Sequence, residues 1–206
     1  MVEIDAILKF WFADAADSPA AAAARGELWF QPNEELDHQI WSMFADNLSD
    51  AASGLIDVWA EEPDGRLALI ILLDQYPRRM YRGTAEAFRH DPRAIALARE
   101  GVERGQLESL SIPEQSFFLM PYQHSEDLTI QKAGVELYKI AAAKAADDWR
   151  AVAEGYCDFA VRHFDIIAQF GRFPQRNQAL GRQSTGAEER YLAGGGDTFG
   201  QAGQAG

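Results

Sequence analysis

Three segments of the chain are dense in groups that bind anions or move protons. The first is 74–84, DQYPRRMYRGT. The second is 121–127, PYQHSED, with Gln131 one turn later. The third runs from His163 and Asp165 through 171–177, GRFPQRN, to 181–185, GRQST. The chain holds 15 Arg against 4 Lys, and Arg78, Arg79, Arg82, Arg172, Arg176 and Arg182 sit in two of these segments. A guanidinium is a planar fork suited to bidentate pairing with carboxylate or phosphate, whereas a lysine ammonium is a point charge. With a formal charge of −13, such clustering is not an effect of composition. Read as function, Asp74, Arg78, Arg82, Glu126, Arg172, Arg176, Asn177 and Arg182 form a ligand-binding set, an anion pocket where two loops converge. Read as structure, the arginines pair with Asp74, Glu126, Asp127 and Asp165 and tie helix ends together, because buried charges need partners.

The histidines offer acid–base chemistry. His163 lies on an apolar stripe and should point inward, where its surroundings can tune it toward neutrality. His124 precedes Ser125, Glu126 and Asp127, a run that equally reads as a helix cap with acidic groups complementing the helix dipole. The catalytic candidates are His163, His124 and Asp127, with Asp127 or Asp165 orienting a ring. The sequence has no H-E-x-x-H, no cysteine pair and no EF-hand loop, so no metal and no cofactor is expected. Ser125 lacks the Gly-x-Ser-x-Gly setting of an activated serine. Gly194-Gly195-Gly196 lacks the lysine and following helix of a phosphate-binding loop.

Composition narrows the classes further. A chain of 206 residues, 47% apolar and 25% charged, suits one domain with a substantial core. The acidic balance argues against nucleic acid or anionic membrane as a partner. The longest apolar run, Leu67 to Leu73, is far shorter than the roughly 20 residues of a membrane span. A single cysteine, Cys157, and an acidic start without a secretory pattern point to the cytoplasm.

Helical periodicity supplies the elements that must position these groups. Ile4, Ile7, Leu8, Trp11 and Phe12 mark a first helix. Ala15 to Ala24, broken by Pro19, fits a loop or a short helix, and Trp29 with Phe30 reads as a plug before the next helix. Leu36, Ile40, Phe44 and Leu48 repeat at four, with Gly54 as a left-handed stop. Asp64 is the expected cap of a buried helix over Leu67–Leu73, which Pro77 ends or kinks. Further helices are expected from Asp91-Pro92 to about Gly105, from the capping box Ser111–Glu114, and from Ser125 to about Ala146. The longest stripe runs from Trp149 to Phe170 and stops at Gly171. Thr185–Glu188 opens a last short helix stopped by Gly194. The aromatic residues Trp11, Phe12, Trp29, Phe30, Trp41, Trp59 and Trp149 are expected in the core. Residues 1–193 form one helical domain and 194–206 a Gly-rich mobile tail with Phe199 as its one anchor.

The strings LLDQYPRRMYRGTAEAF, PYQHSEDL and FGRFPQRNQALGRQST closely resemble signatures of the bacterial domain-of-unknown-function family 924. The resemblance spans the chain from ILKFWF to the Phe199 region. It implies an all-α fold of about 8–10 helices, paired antiparallel and stacked as a tetratricopeptide-like right-handed superhelix, and it implies no activity. This family usually carries histidine where Gln175 stands here, which removes an acid–base or metal role at that position. Of three functions, the first is the one expected from the arginine clustering and the other two are its alternatives. The first is a module binding an anionic small molecule or an acidic peptide. The second is an enzyme using His163 or His124 on an anionic substrate. The third is a scaffold without a ligand.

Overall fold

A computed structural model describes residues 3–200. The last part of the expected tail, 201–206, lies outside the described residues. The fold is all-α, with no strand among the described residues. The helices are α1 (Ile4–Phe12), α2 (Pro19–Phe30), α3 (Glu34–Ser53), α4 (Pro63–Ile70), α5 (Tyr76–Met80), α6 (Asp91–Glu103), α7 (Ile112–His124), α8 (Leu128–Lys144), α9 (Arg150–Phe170) and α10 (Gly186–Ala193).

Helix ends explain most of the boundaries. Pro19 opens α2 rather than breaking it, because the first helical residue needs no N–H, and Ser18 Oγ accepts from Ala21 N. Trp29 and Phe30 are therefore the end of α2, not a plug ahead of α3. Gly54 and Gly171 close α3 and α9 in the left-handed region, at φ of 83° and 69°. The two capping boxes form as expected, Ser111 with Glu114 and Thr185 with Glu188. Three expected caps move: Asp91, expected as the N-cap ahead of Pro92, is the first residue of α6, and His90 precedes it. Glu62 rather than Asp64 precedes α4, with Pro63 at its first turn. Asp127 rather than Ser125 caps α8, its Oδ1 accepting from Thr129 N and Ile130 N.

The centre of the molecule is one rod made of α4, a π turn at Ile71–Gln75, and α5. Pro77 has no N–H to bond backward, and its ring crowds the preceding turn. The chain widens by one residue ahead of it, so Tyr76 N donates to Ile71 O, and the helix continues through the proline. Leu67 through Asp74 are all fully buried. Burying the six Leu and Ile side chains of this run contributes on the order of 10 kcal/mol, which offsets the cost of carrying a carboxylate inward at the run's end. Around the rod, Trp11 packs edge-on against Tyr76 and Phe117, with ring centroids at 5.5 and 5.6 Å. Helices α7, α8 and α9 pack each on the next. Gly134 of α8 lets the backbone come against Tyr122 of α7, where an added Cβ would stand 2.6 Å from the tyrosine Cβ.

Not every aromatic residue joins the core: Phe30, Trp41 and Phe159 are 40–45% exposed. Trp41 meets Tyr81 edge-on at 5.4 Å. Phe30 and Phe159 line a cavity instead. Among the described residues no helix is long and apolar enough to cross a membrane.

Candidate functional site

The cavity measures about 440 Å³ and opens between the end of α2, the rod, α7, α9 and the stretch 194–200. His124 lines it, with Asp74 buried behind the imidazole. His124, the last residue of α7, is buried, and its Nδ1 lies 2.8 and 2.9 Å from the two carboxylate oxygens of Asp74. Asp74 is fully buried and also accepts from Gln75 Nε2. Burial pushes the Asp74 pKa upward, but Arg78, 3.3 Å away, and His124 overcome it and bring it down to about 2. The carboxylate is thus charged, and Nδ1 of His124 carries the hydrogen it donates. Burial, reinforced by Arg78 and opposed by Asp74, holds His124 below the ordinary histidine value, so the ring is neutral. Its Nε2 makes no hydrogen bond among the described residues, and the side chain lines the cavity.

His163, from the middle of α9, lies beside it with ring centroids 6.0 Å apart. Its Nδ1 donates to Phe159 O at 2.8 Å, which leaves Nε2 as an acceptor. Burial, and then the neighbouring His124, pushes its pKa well below the ordinary value. Two neutral imidazoles thus share one cavity, and one of them is oriented by an ionised carboxylate. That pair is the arrangement of a general base.

The arginines divide into two groups. Arg78 and Arg82 line the cavity, joined by Arg79 and Arg162. Arg78 donates to both oxygens of Asp91 at 2.8 and 2.9 Å and to the Asp74 carbonyl at 2.6 Å, so it locks the carboxylate side of the pair. Arg79 and Arg82 share one carboxylate, Asp37, at 3.4 and 2.8 Å, so two guanidinium groups meet one carboxylate at that end of the cavity, and Arg79 also donates to the Leu28 and Gln31 carbonyls at the end of α2. The other group lies outside the cavity. Arg172 forks onto Glu188 at 2.6 and 2.8 Å. Arg182 forks onto Glu126 at 2.6 and 3.0 Å and also bonds Asn177 Oδ1 at 2.9 Å. Arg176 is buried between the rings of Phe88 and Phe173, at 4.6 and 4.4 Å, with Asp91 at 3.4 Å. Burial lowers its pKa to about 10. Asn177 donates to Ser184 Oγ. These four, with Glu126, tie the loop after α9 to the body.

Asp127 and Asp165 are exposed and orient neither ring; Asp127 serves the α8 cap. Asp74 holds the imidazole instead. Sequence reasoning also left out Asp91 and Asp37, the carboxylates that receive the cavity arginines, and the apolar wall of Met120, Tyr156 and Phe159. Gln175 is buried and does not line the cavity. Among the described residues no group of three or more His, Cys, Asp or Glu could hold a metal ion.

A bacterial family described as of unknown function, DUF924, matches residues 7–196. A solved structure of a protein of unknown function from Agrobacterium tumefaciens superimposes with a TM-score of 0.73 at 33% identity, over 90% of this chain and 98% of that one. No curated protein matches. The chain therefore belongs to the DUF924 family of bacterial proteins.

Proposed function

We propose that this protein is an enzyme in which His124, oriented by Asp74, transfers a proton on a small anionic molecule bound in the cavity. The Asp74–His124 hydrogen bond carries the reading, with both carboxylate oxygens within 2.9 Å of Nδ1. A neutral ring fixed in this tautomer presents the Nε2 lone pair to whatever occupies the cavity. Once Nε2 has taken a proton, the Asp74 charge stabilises the imidazolium, and the proton is returned later in the cycle. Arg78 keeps Asp74 ionised throughout. Arg79 and Arg82, two guanidinium groups to one carboxylate, favour an anionic substrate. The cytoplasmic placement and the tetratricopeptide-like stacking expected from sequence fit this reading.

A binding site without turnover is a second reading, favoured by the cavity's arginines rather than by its histidines. One experiment separates the two. The anionic metabolite fraction of a bacterial extract is incubated with the protein or with His124→Gln and followed by mass spectrometry. Catalysis predicts depletion of at least one anion by the wild type and none by the variant, with that anion retained by the variant on filtration. Retention without depletion by the wild type would leave binding alone. The active form is the neutral ring, so turnover should rise with pH through a midpoint below 6.5, the ordinary histidine value, and level off above it.

A further inference from the structure

The stretch 194–200 turns back over the cavity instead of leaving the body. Two arginines of the cavity wall hold it. Arg162 grips Asp197, Nε to Oδ2 at 2.8 Å, and Arg82 donates to the Gly200 carbonyl at 3.3 Å. Between these clamps Phe199 lays its ring on His163, with centroids 3.6 Å apart and planes within 12°. Phe199 adopts a φ of 50°, a conformation that a non-glycine residue holds only when its contacts enforce it. Glycines at 195 and 200, both at positive φ, allow the chain to turn on either side. The stretch thus places an aromatic ring on the imidazole and an oxygen acceptor on a guanidinium of one cavity. Those are the two contacts an aromatic acid makes.

We infer, resting on the small-molecule reading of this cavity, that its ligand is an aromatic monocarboxylate. Its ring replaces Phe199 on His163 and its carboxylate replaces the tail carbonyl on Arg82, so the tail is a built-in competitor. Three further observations support the class. Phe30 and Phe159 stack on one another, planes 11° apart and centroids at 6.2 Å, so this part of the wall offers an aromatic face rather than a polar one. Arg79 and Arg82 have one carboxylate between them, Asp37, and Arg79 is otherwise taken up by the Leu28 and Gln31 carbonyls, so Arg82 is the guanidinium beside the tail carbonyl that a carboxylate would take. Finally, the arginines that hold the tail are those an incoming anion would engage, so ligand and tail exclude one another.

The test uses the full-length protein with isotope-labelled histidine and follows the His163 ring protons by NMR. The probes are benzoate, phenylacetate, 3-phenylpropionate, 3-cyclohexylpropionate and inorganic phosphate. In the wild type the stacked Phe199 ring should shift these protons upfield, and Phe199→Ala should return them downfield. An aromatic probe added to Phe199→Ala should restore the upfield shift, which the cyclohexyl acid cannot do. With the competitor removed, the best aromatic acid should bind Phe199→Ala about tenfold or more tighter than wild type, and Arg82→Ala should weaken it about tenfold. Equal affinity of wild type and Phe199→Ala, equal binding of the cyclohexyl acid or phosphate, or no aromatic binding to Phe199→Ala would each overturn the inference. The catalytic reading fails separately. Aromatic acids that bind as expected in a protein that depletes no anion would leave the ligand class standing without catalysis. Depletion of an unrelated anion, lost in His124→Gln, would do the reverse.

Discussion

Asp74→Asn preserves shape and removes one charge, so it isolates what the buried carboxylate contributes. In the folded chain Asp74 titrates at about 2, against an ordinary 3.8. A tenfold change in proton affinity corresponds to about 1.4 kcal/mol, so the ionised form contributes about 2 kcal/mol of stability at neutral pH. Arg78 keeps its fork on Asp91 in the variant, which limits the damage to that figure rather than the ~3–5 kcal/mol of a fully orphaned buried charge. For a chain of this length the loss lowers the melting temperature by about 4–8 °C. The sign with pH follows from the depressed folded value. The stabilisation is complete above the unfolded value of 3.8 and vanishes as pH falls through 2. The gap between wild type and variant should therefore be full at pH 7, begin to close below about pH 4, and be nearly gone near pH 2. Urea denaturation followed by circular dichroism, repeated down the pH range, measures it. A gap below about 0.5 kcal/mol at pH 7, or one of constant size between pH 7 and pH 3, would refute the assignment of a charged Asp74. Turnover should suffer more than stability, by roughly 10³–10⁴-fold, because the amide no longer fixes the productive tautomer.

Other expectations follow from the same geometry. Neither His124 nor His163 should titrate at the ordinary 6.5 in histidine NMR spectra, both midpoints lying lower. Because the unfolded chain protonates these rings at the ordinary value and the folded chain does not, stability should fall as pH drops below about 6.5. His163→Gln should flatten that slope, and an unchanged slope would count against buried neutral rings. Gly134→Ala should destabilise by about 1–3 kcal/mol in urea denaturation, since the new methyl meets Tyr122 where α7 and α8 touch. Glu126→Gln should loosen the loop after α9, detected as faster amide exchange at Phe173, because Glu126 accepts from both Phe173 N and Arg182.

What could be read from the sequence was local. The capping boxes at Ser111 and Thr185, the glycine stops at 54 and 171, and the inward face of His163 depend on neighbours within one or two turns. The orienting carboxylate was missed because Asp74 and His124 are 50 positions apart, and nearer acids, Asp127 and Asp165, competed for the role. The same limit separates the arginines. Arg172 and Arg182 resemble Arg78 and Arg82 in composition, but their partners Glu188 and Glu126 are brought to them by folding, away from the cavity. Phe30 and Phe159 fit a helical stripe as well as any core residue, and only the cavity beside them explains their exposure. The tail's one aromatic anchor was legible; its place on a histidine was not.

The π turn in the central rod acts as a phase shifter for everything beyond it. One additional residue in a helix swings the following side chains by about 100° relative to those before. Asp74 lies within the widened turn, and Arg78 and Arg79 come directly after it. Deleting a single residue between Ile71 and Leu73 would let the rod relax to an ordinary helix with its apolar character intact. It would also rotate the guanidinium groups away from Asp91 and Asp37 and carry the carboxylate off the imidazole. The spacing of this segment is thus fixed by the azimuth of its polar groups, and its length should tolerate far less change than its choice of aliphatic side chains.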